Sequence, residues 1–211
     1  GRFMIAQLRQ MFEMQNKLNA AINPDWINDR SQDWHSAVVV EGAEMIDHYG
    51  WKWWKHQTPD IEQVHLELVD IWHFLMSAEL KRHPALPIDE AIVQSARIWE
   101  DHFNQTRDSG NFLPLAKALV GKSAISEMPY GEFCKVMKVV EFDFDALYKW
   151  YIGKNVLNYF RQDHGYKDGS YIKVWNGRED NEHLADALNA LACDATLADN
   201  VYQSLSDAYP S

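Results

Sequence analysis

Apolar positions recur at helical spacing along most of this chain. Between residues 3 and 22 they fall at Phe3, Ile5, Leu8, Met11, Phe12, Leu18 and Ile22, and Pro24 ends the run. A second helix is expected over 36–49, stopped by Gly50 and followed by Trp51, Trp53 and Trp54. Thr58-Pro59-Asp60 reads as a start signal, with Thr58 capping and Pro59 at the first helical position of a third helix that runs to Arg82 and stops at Pro84. Leu86-Pro87 leads into a fourth helix over 88–104, and the polar stretch 106–111 reads as a loop. Shorter helices near 114–119 and 128–140 precede a long one over 144–162. The stretch 165–177 is Gly-rich and basic, with strand-like alternation at Tyr171, Ile172, Lys173, Val174 and Trp175. A last helix is expected from near Glu179 to just before Pro210. The pattern predicts an all-α fold, read as a single domain over 1–211 with an accessory lobe around 106–140.

Composition narrows the class. At 211 residues, with 46% hydrophobic and 13% aromatic side chains, the chain builds a real core, and disorder is not its default state. The formal charge of −11 argues against a nucleic-acid binder, because phosphate contacts need a surplus of Lys and Arg. Small phosphate ligands stay open, since metal ions supply positive charge locally. Cys134 and Cys193 are too few for a disulfide framework or a zinc site, and both are read as buried thiols in helices. No leader pattern and no apolar run of membrane-spanning length is found, so the expectation is a cytoplasmic protein off the membrane. Gly1 reads as a cloning remnant.

Two acidic motifs carry the chemistry. Glu41-Gly42-Ala43-Glu44 lies on the second predicted helix and Glu67-Leu68-Val69-Asp70 on the third. Residues three apart sit about 60° apart around a helix, so each pair projects from one face. The short connection predicts antiparallel neighbours, with all four carboxylates meeting between them. Val38-Val39-Val40 precedes the first pair and apolar residues wrap the second. Carboxylates in such surroundings lose hydration and repel one another, and a divalent cation removes both costs. Hard oxygen ligands in a helical bundle suit Mg²⁺, with Mn²⁺ as a substitute. A single ExxE is usually a solvated face; two on consecutive helices, both inside apolar runs, weigh against that. His73, one turn beyond Asp70, either joins the site or packs behind it.

Glu41-x-x-Glu44 followed by Glu67-x-x-Asp70 resembles the metal signature of the all-α NTP pyrophosphohydrolases, shared by dUTPases, dCTPases and MazG-like and HisE-like enzymes. The surrounding text is more specific. Trp51-Lys52-Trp53-Trp54-Lys55, Val69-Asp70-Ile71-Trp72-His73-Phe74, the run from Phe160 through Tyr171, and Trp175-Asn176-Gly177-Arg178-Glu179-Asp180-Asn181 resemble the dimeric dUTPases. The likeness covers about residues 8 to 188 and is weakest over 106–135. It implies hydrolysis of dUTP to dUMP and pyrophosphate, with dUDP as a second substrate, and a homodimer. It also implies Mg²⁺ on Glu41, Glu44, Glu67 and Asp70, with Glu41 or Glu44 orienting or deprotonating the attacking water.

The residues themselves supply a partner for the acidic site. Lys154, Asn158 and Arg161 fall on one stripe of the long helix, opposite Ile152, Val156, Leu157 and Phe160. With Lys167, Lys173 and Arg178 they make a positive island in an acidic chain, and Gly165, Gly169 and Gly177 admit close backbone approach. Such an island suits a phosphate tail, although a basic segment is more often only a solvated face. Gln15 and Asn19 share a face of the first helix, and amides offer the donor and acceptor that a uracil edge requires, though surface amides are common. By resemblance, Gln15, Asn19 and Trp54 form the uracil pocket, Phe74 is the platform that excludes a 2′-hydroxyl, and Tyr171 and Asn181 contact sugar or phosphate. Trp51 and Trp53 read as core aromatics. Two other readings stand: a dCTPase or house-cleaning NTP hydrolase of the same superfamily, and a non-catalytic helical scaffold whose acidic helices dock a partner.

Overall fold

The computed structural model describes residues 2–107 and 110–211, Arg2 by its backbone alone; Gly1, and Asp108 and Ser109 of the expected 106–111 loop, lie outside the described residues. The described residues form nine α-helices and one two-stranded ribbon: α1 (Arg2–Ile22), α2 (Trp34–Tyr49), α3 (Ile61–Lys81), α4 (Ile88–Gln105), α5 (Phe112–Ala124), α6 (Tyr130–Val139), α7 (Phe144–Asp163), β1 (Val174–Trp175), β2 (Arg178–Glu179), α8 (Asp180–Ala190) and α9 (Leu197–Ala208). This is the all-α class expected. The chain folds as two compact units, Gly1–Phe144 and Asp145–Ser211.

In the first unit α3 is the central element. Val64, Leu68, Val69, Ile71, Trp72, Leu75, Met76 and Leu80 are all fully buried, so most of the helix surface is covered, while Asp70 and Phe74 stay half-buried. Helices α1, α2 and α4 pack on it. Trp72 anchors the core, with the rings of Phe12 from α1 at 6.1 Å, Trp99 from α4 at 4.9 Å and Phe133 from α6 at 5.6 Å. Such ring pairs add to the area they bury. Helix α2 also packs on α5, and Gly42 permits that approach: a Cβ there would stand 2.6 Å from Cγ2 of Val120.

The start of α3 differs from the expected cap. Asp60, not Thr58, caps the helix, its side chain accepting from the Gln63 N–H at 3.3 Å. Its own N–H donates to the His48 carbonyl at 2.9 Å, which ties the capping residue to the end of α2 and leaves Thr58 and Pro59 outside the helix.

The second unit contains α7, the ribbon, α8 and α9. Strands β1 and β2 pair antiparallel, Val174 opposite Glu179 and Trp175 opposite Arg178. Asn176 and Gly177 make the turn with φ of 52° and 80°, the positive pair that an Asn-Gly hairpin provides. Glu179 and Glu182 then form a capping box at the start of α8. The single last helix expected from the sequence is two helices. The break falls over 191–196, where Asp194 accepts from the N–H and hydroxyl of Thr196 and competes with helical hydrogen bonding. Cys193 lies in this break and is exposed, whereas Cys134 is buried as expected.

Candidate active site

Helices α2 and α3 pack along each other and bring three acidic side chains together. Glu41, Glu67 and Asp70 each offer a carboxylate oxygen, and these oxygens lie within 4.8 Å of one another. Glu44, on the same helix as Glu41, is exposed and stands outside this trio. Glu67 is the buried member, 8% exposed. Burial, a hydrogen bond with Glu41 and the charges of Glu41, Asp70 and Glu44 hold its carboxyl far above the usual carboxylate range. Its Oε2 is buried and has no hydrogen-bond partner, and Nε2 of His48 lies 3.6 Å from its Oε1.

A divalent cation fits this arrangement. Converging hard oxygens are the donors Mg²⁺ and Mn²⁺ prefer, and positive charge would relieve the repulsion that raises Glu67. His48 is a site neighbour that the acidic motifs alone do not point to, although its spacing places it with them: Glu41, Glu44 and His48 follow one another at three and four residues, on one face of α2. His73 is buried, with Nδ1 donating to the Val69 carbonyl at 2.9 Å.

The two amides of α1 are not surface groups. Gln15 and Asn19 are 3% and 6% exposed. Gln15 Nε2 donates to Asn19 Oδ1 at 2.9 Å, Asn19 Nδ2 donates to Ser77 Oγ at 2.9 Å, and the Ser77 hydroxyl donates to the His73 carbonyl at 2.9 Å. Ser77, missed in the sequence, connects the pair to the turn of α3 that carries His73 and Phe74. Phe74 is half-buried and lies 6.1 Å from Trp34, ring to ring. Trp54 is 56% exposed in the segment between α2 and α3, edge to face with Trp51 at 5.4 Å and Trp53 at 4.6 Å. Trp51 and Trp53 are not core aromatics: Trp53 is 83% exposed, because this segment leaves the helices and its rings pack on one another.

The second unit gathers most of the basic stripe. Lys154 is buried, and its Nζ donates to Asn181 Oδ1 at 2.6 Å, which joins α7 to α8. Two turns on, Arg161 meets Asp180 through Nε at 2.9 Å and Nη2 at 3.1 Å. Arg161, Tyr166, Gly169, Tyr171 and Lys173 line a cavity of about 200 Å³. Asn158 is half-buried on α7 between Lys154 and Arg161. Arg178 pairs instead with Asp186 at 2.6 Å on the surface.

Comparison with curated proteins finds no match. The dUTPase family matches residues 7–166, well over half of the chain, a span that holds both acidic motifs, the amide pair and Lys154 to Arg161, while Tyr171, Lys173 and Asn181 lie beyond it. A divalent metal is the cofactor typical of that family. A match of this extent on an all-helical fold shows that the chain belongs to the dUTPase family, whose reaction is the hydrolysis of dUTP to dUMP and pyrophosphate.

Proposed function

We propose that this dUTPase works with Mg²⁺, or Mn²⁺ in its place, held by Glu41, Glu67 and Asp70 with Glu44 as the outer carboxylate, and that dUDP is a second substrate. The observation that carries the reading is the convergence of three carboxylate oxygens within 4.8 Å around a buried glutamate. Bound there, the metal supplies the positive charge that the phosphate chain and the leaving pyrophosphate need. Glu41 or Glu44 orients the attacking water and accepts its proton, and no covalent intermediate forms. Gln15 and Asn19 present their amides to the uracil edge, and the exposed ring of Trp54 is available to cover the base. Phe74 sets the platform under the deoxyribose. In the second unit Lys154, Asn158, Arg161, Lys173, Tyr171 and Asn181 hold phosphate and sugar.

The finer setting is also a proposal. A homodimer is the assembly that the resemblance to the dimeric dUTPases implies, and sedimentation would report it. No helix among the described residues is long and apolar enough to cross a membrane, and two free thiols accord with the cytoplasm. The deciding experiment is pyrophosphate release from dUTP, dCTP, dTTP and UTP, with Mg²⁺, with Mn²⁺ and with chelator. Preference for dUTP that vanishes with chelator, and near-total loss of turnover in Glu44→Ala and Asp70→Ala with the helical fold intact, is the expected result. Full turnover in chelator, or in either variant, would overturn it.

A further inference from the structure

Within the basic region of the second unit stands a buried carboxylate that the reading above does not use. Asp180, the first residue of α8, is 0% exposed. Its Oδ2 accepts from Arg161 Nε at 2.9 Å and from the Tyr171 hydroxyl at 2.7 Å, while Oδ1 accepts from Arg161 Nη2 at 3.1 Å. Its backbone N–H donates to the Lys173 carbonyl at 2.9 Å. One residue thus connects three of the five that line the 200 Å³ cavity, and Asn181, next in sequence, receives Lys154.

An acidic side chain is the wrong charge to meet a phosphate, and at zero exposure Asp180 is closed off from one. What it does is geometric. A carboxylate that takes two parallel bonds from a guanidinium fixes the plane as well as the place of that group, and arginine, with its rigid fork, transmits the constraint where lysine would not. The Tyr171 hydroxyl shares the same oxygen, so ring and guanidinium are held against one anchor. Side chains immobilised before the ligand arrives do not have to be ordered by it, and this favours binding. Burial works to raise the carboxyl of Asp180, but the bonds and charge of Arg161, with Tyr171 and Lys154, outweigh it and bring it below its ordinary range, so the anchor is charged at neutral pH.

We propose that Asp180 is a positioning residue for the triphosphate: it acts through Arg161 and Tyr171, holding them on the wall of the phosphate cavity, and does not touch the nucleotide. The proposal rests on the assignment of this cavity to the phosphate chain. The family match ends at residue 166, so Asp180, Tyr171 and Lys173 lie beyond what it covers.

The test is calorimetric, with Mg²⁺ present, using a dUTP analogue bridged by nitrogen between the α and β phosphorus, and deoxyuridine as the ligand without phosphates. Asp180→Asn should weaken the analogue about tenfold, the equivalent of one misplaced charge-assisted bond, and leave deoxyuridine within about twofold. Arg161→Ala should do the same, and the double variant should lose clearly less than the product of the two single losses, because much of the effect of Asp180 passes through that guanidinium and only the Tyr171 part is left to add. A role confined to packing α8 would give multiplied losses, or equal losses for both ligands, and either result overturns the proposal. Should Asp180→Asn not fold, Asp180→Glu keeps the charge and displaces the anchor by one carbon; it should weaken the analogue alone, and unchanged analogue affinity overturns the proposal. If the unaltered protein binds the analogue no better than deoxyuridine, the phosphate assignment itself fails and this inference falls with it; normal analogue binding that survives Asp180→Asn sinks the inference alone.

Discussion

Gln15 and Asn19, one turn apart on α1, are joined by a 2.9 Å hydrogen bond, and Asn19 passes the chain on to Ser77 of α3. Buried amides that satisfy one another hold their orientation before any ligand arrives. Asn19→Ala should remove an acceptor from Gln15 and a donor from Ser77 in a buried place, and cost about 1–3 kcal/mol of stability. Thermal unfolding checks this. The preference for dUTP over dCTP should fall in the same variant, as read by side-by-side hydrolysis.

Burial, and then the neighbouring carboxylates Glu41, Asp70 and Glu44, hold the Glu67 carboxyl far above its ordinary value of 4.5, so with no cation bound and at a pH above that value Glu67 costs folding stability. In metal-free buffer Glu67→Gln should therefore melt higher than the unaltered protein. Added Mg²⁺ should raise the melting temperature of the unaltered protein, since it binds the folded state, and should do little for the variant. A variant that melts lower without metal would contradict the account.

Glu79 gives a pH dependence of known sign. It is fully buried on α3, accepts from the Tyr130 hydroxyl at 2.6 Å and faces Arg82 at 3.4 Å and His83 at 3.3 Å. Burial outweighs these partners and raises its carboxyl above the ordinary value of 4.5. A group raised on folding stabilises the protein fully below its unfolded value and loses that contribution as pH climbs through the folded one. Glu79→Gln, which stays neutral, should gain stability relative to the unaltered protein as pH rises from about 4.5. Melting curves across that interval give the sign directly.

Gly153, beside Lys154 on α7, sets how near α8 can come. A Cβ there would stand 2.7 Å and 2.8 Å from the two methyls of Leu188, which is fully buried and cannot swing aside. Alanine gains about 1 kcal/mol of helix preference over glycine, while overpacking a closed core costs about 1–3 kcal/mol. Gly153→Ala should therefore destabilise. It should also weaken phosphate binding by shifting Lys154 against Asn181, measured as affinity for the dUTP analogue.

The helical class, the placement of most helices, the two acidic motifs and the stripe from Lys154 to Arg161 can all be read from the chain before it folds. All of these are written in spacing along one helix at a time, and a period of 3.6 residues is a local property. The ribbon was legible only in part: strand-like alternation pointed to 171–175, the strand is Val174–Trp175, and the turn at Asn176-Gly177 with its return strand came from the structure. Tertiary structure alone decided the rest, because it depends on which helix face meets which. It brought oxygens of Glu41, Glu67 and Asp70 within 4.8 Å of one another, with the exposed Glu44 still close enough for its charge to act on Glu67, and it drew Gln15 and Asn19 inside through a serine on another helix. It also exposed Trp53 and turned Asp180, an ordinary first-turn acid by its position, into a buried anchor; the break in the last helix, by contrast, is local, made by the bonds of Asp194 with Thr196 two residues on. Charge and burial at a point in space are sums over elements far apart in the chain, and no window along the sequence contains them.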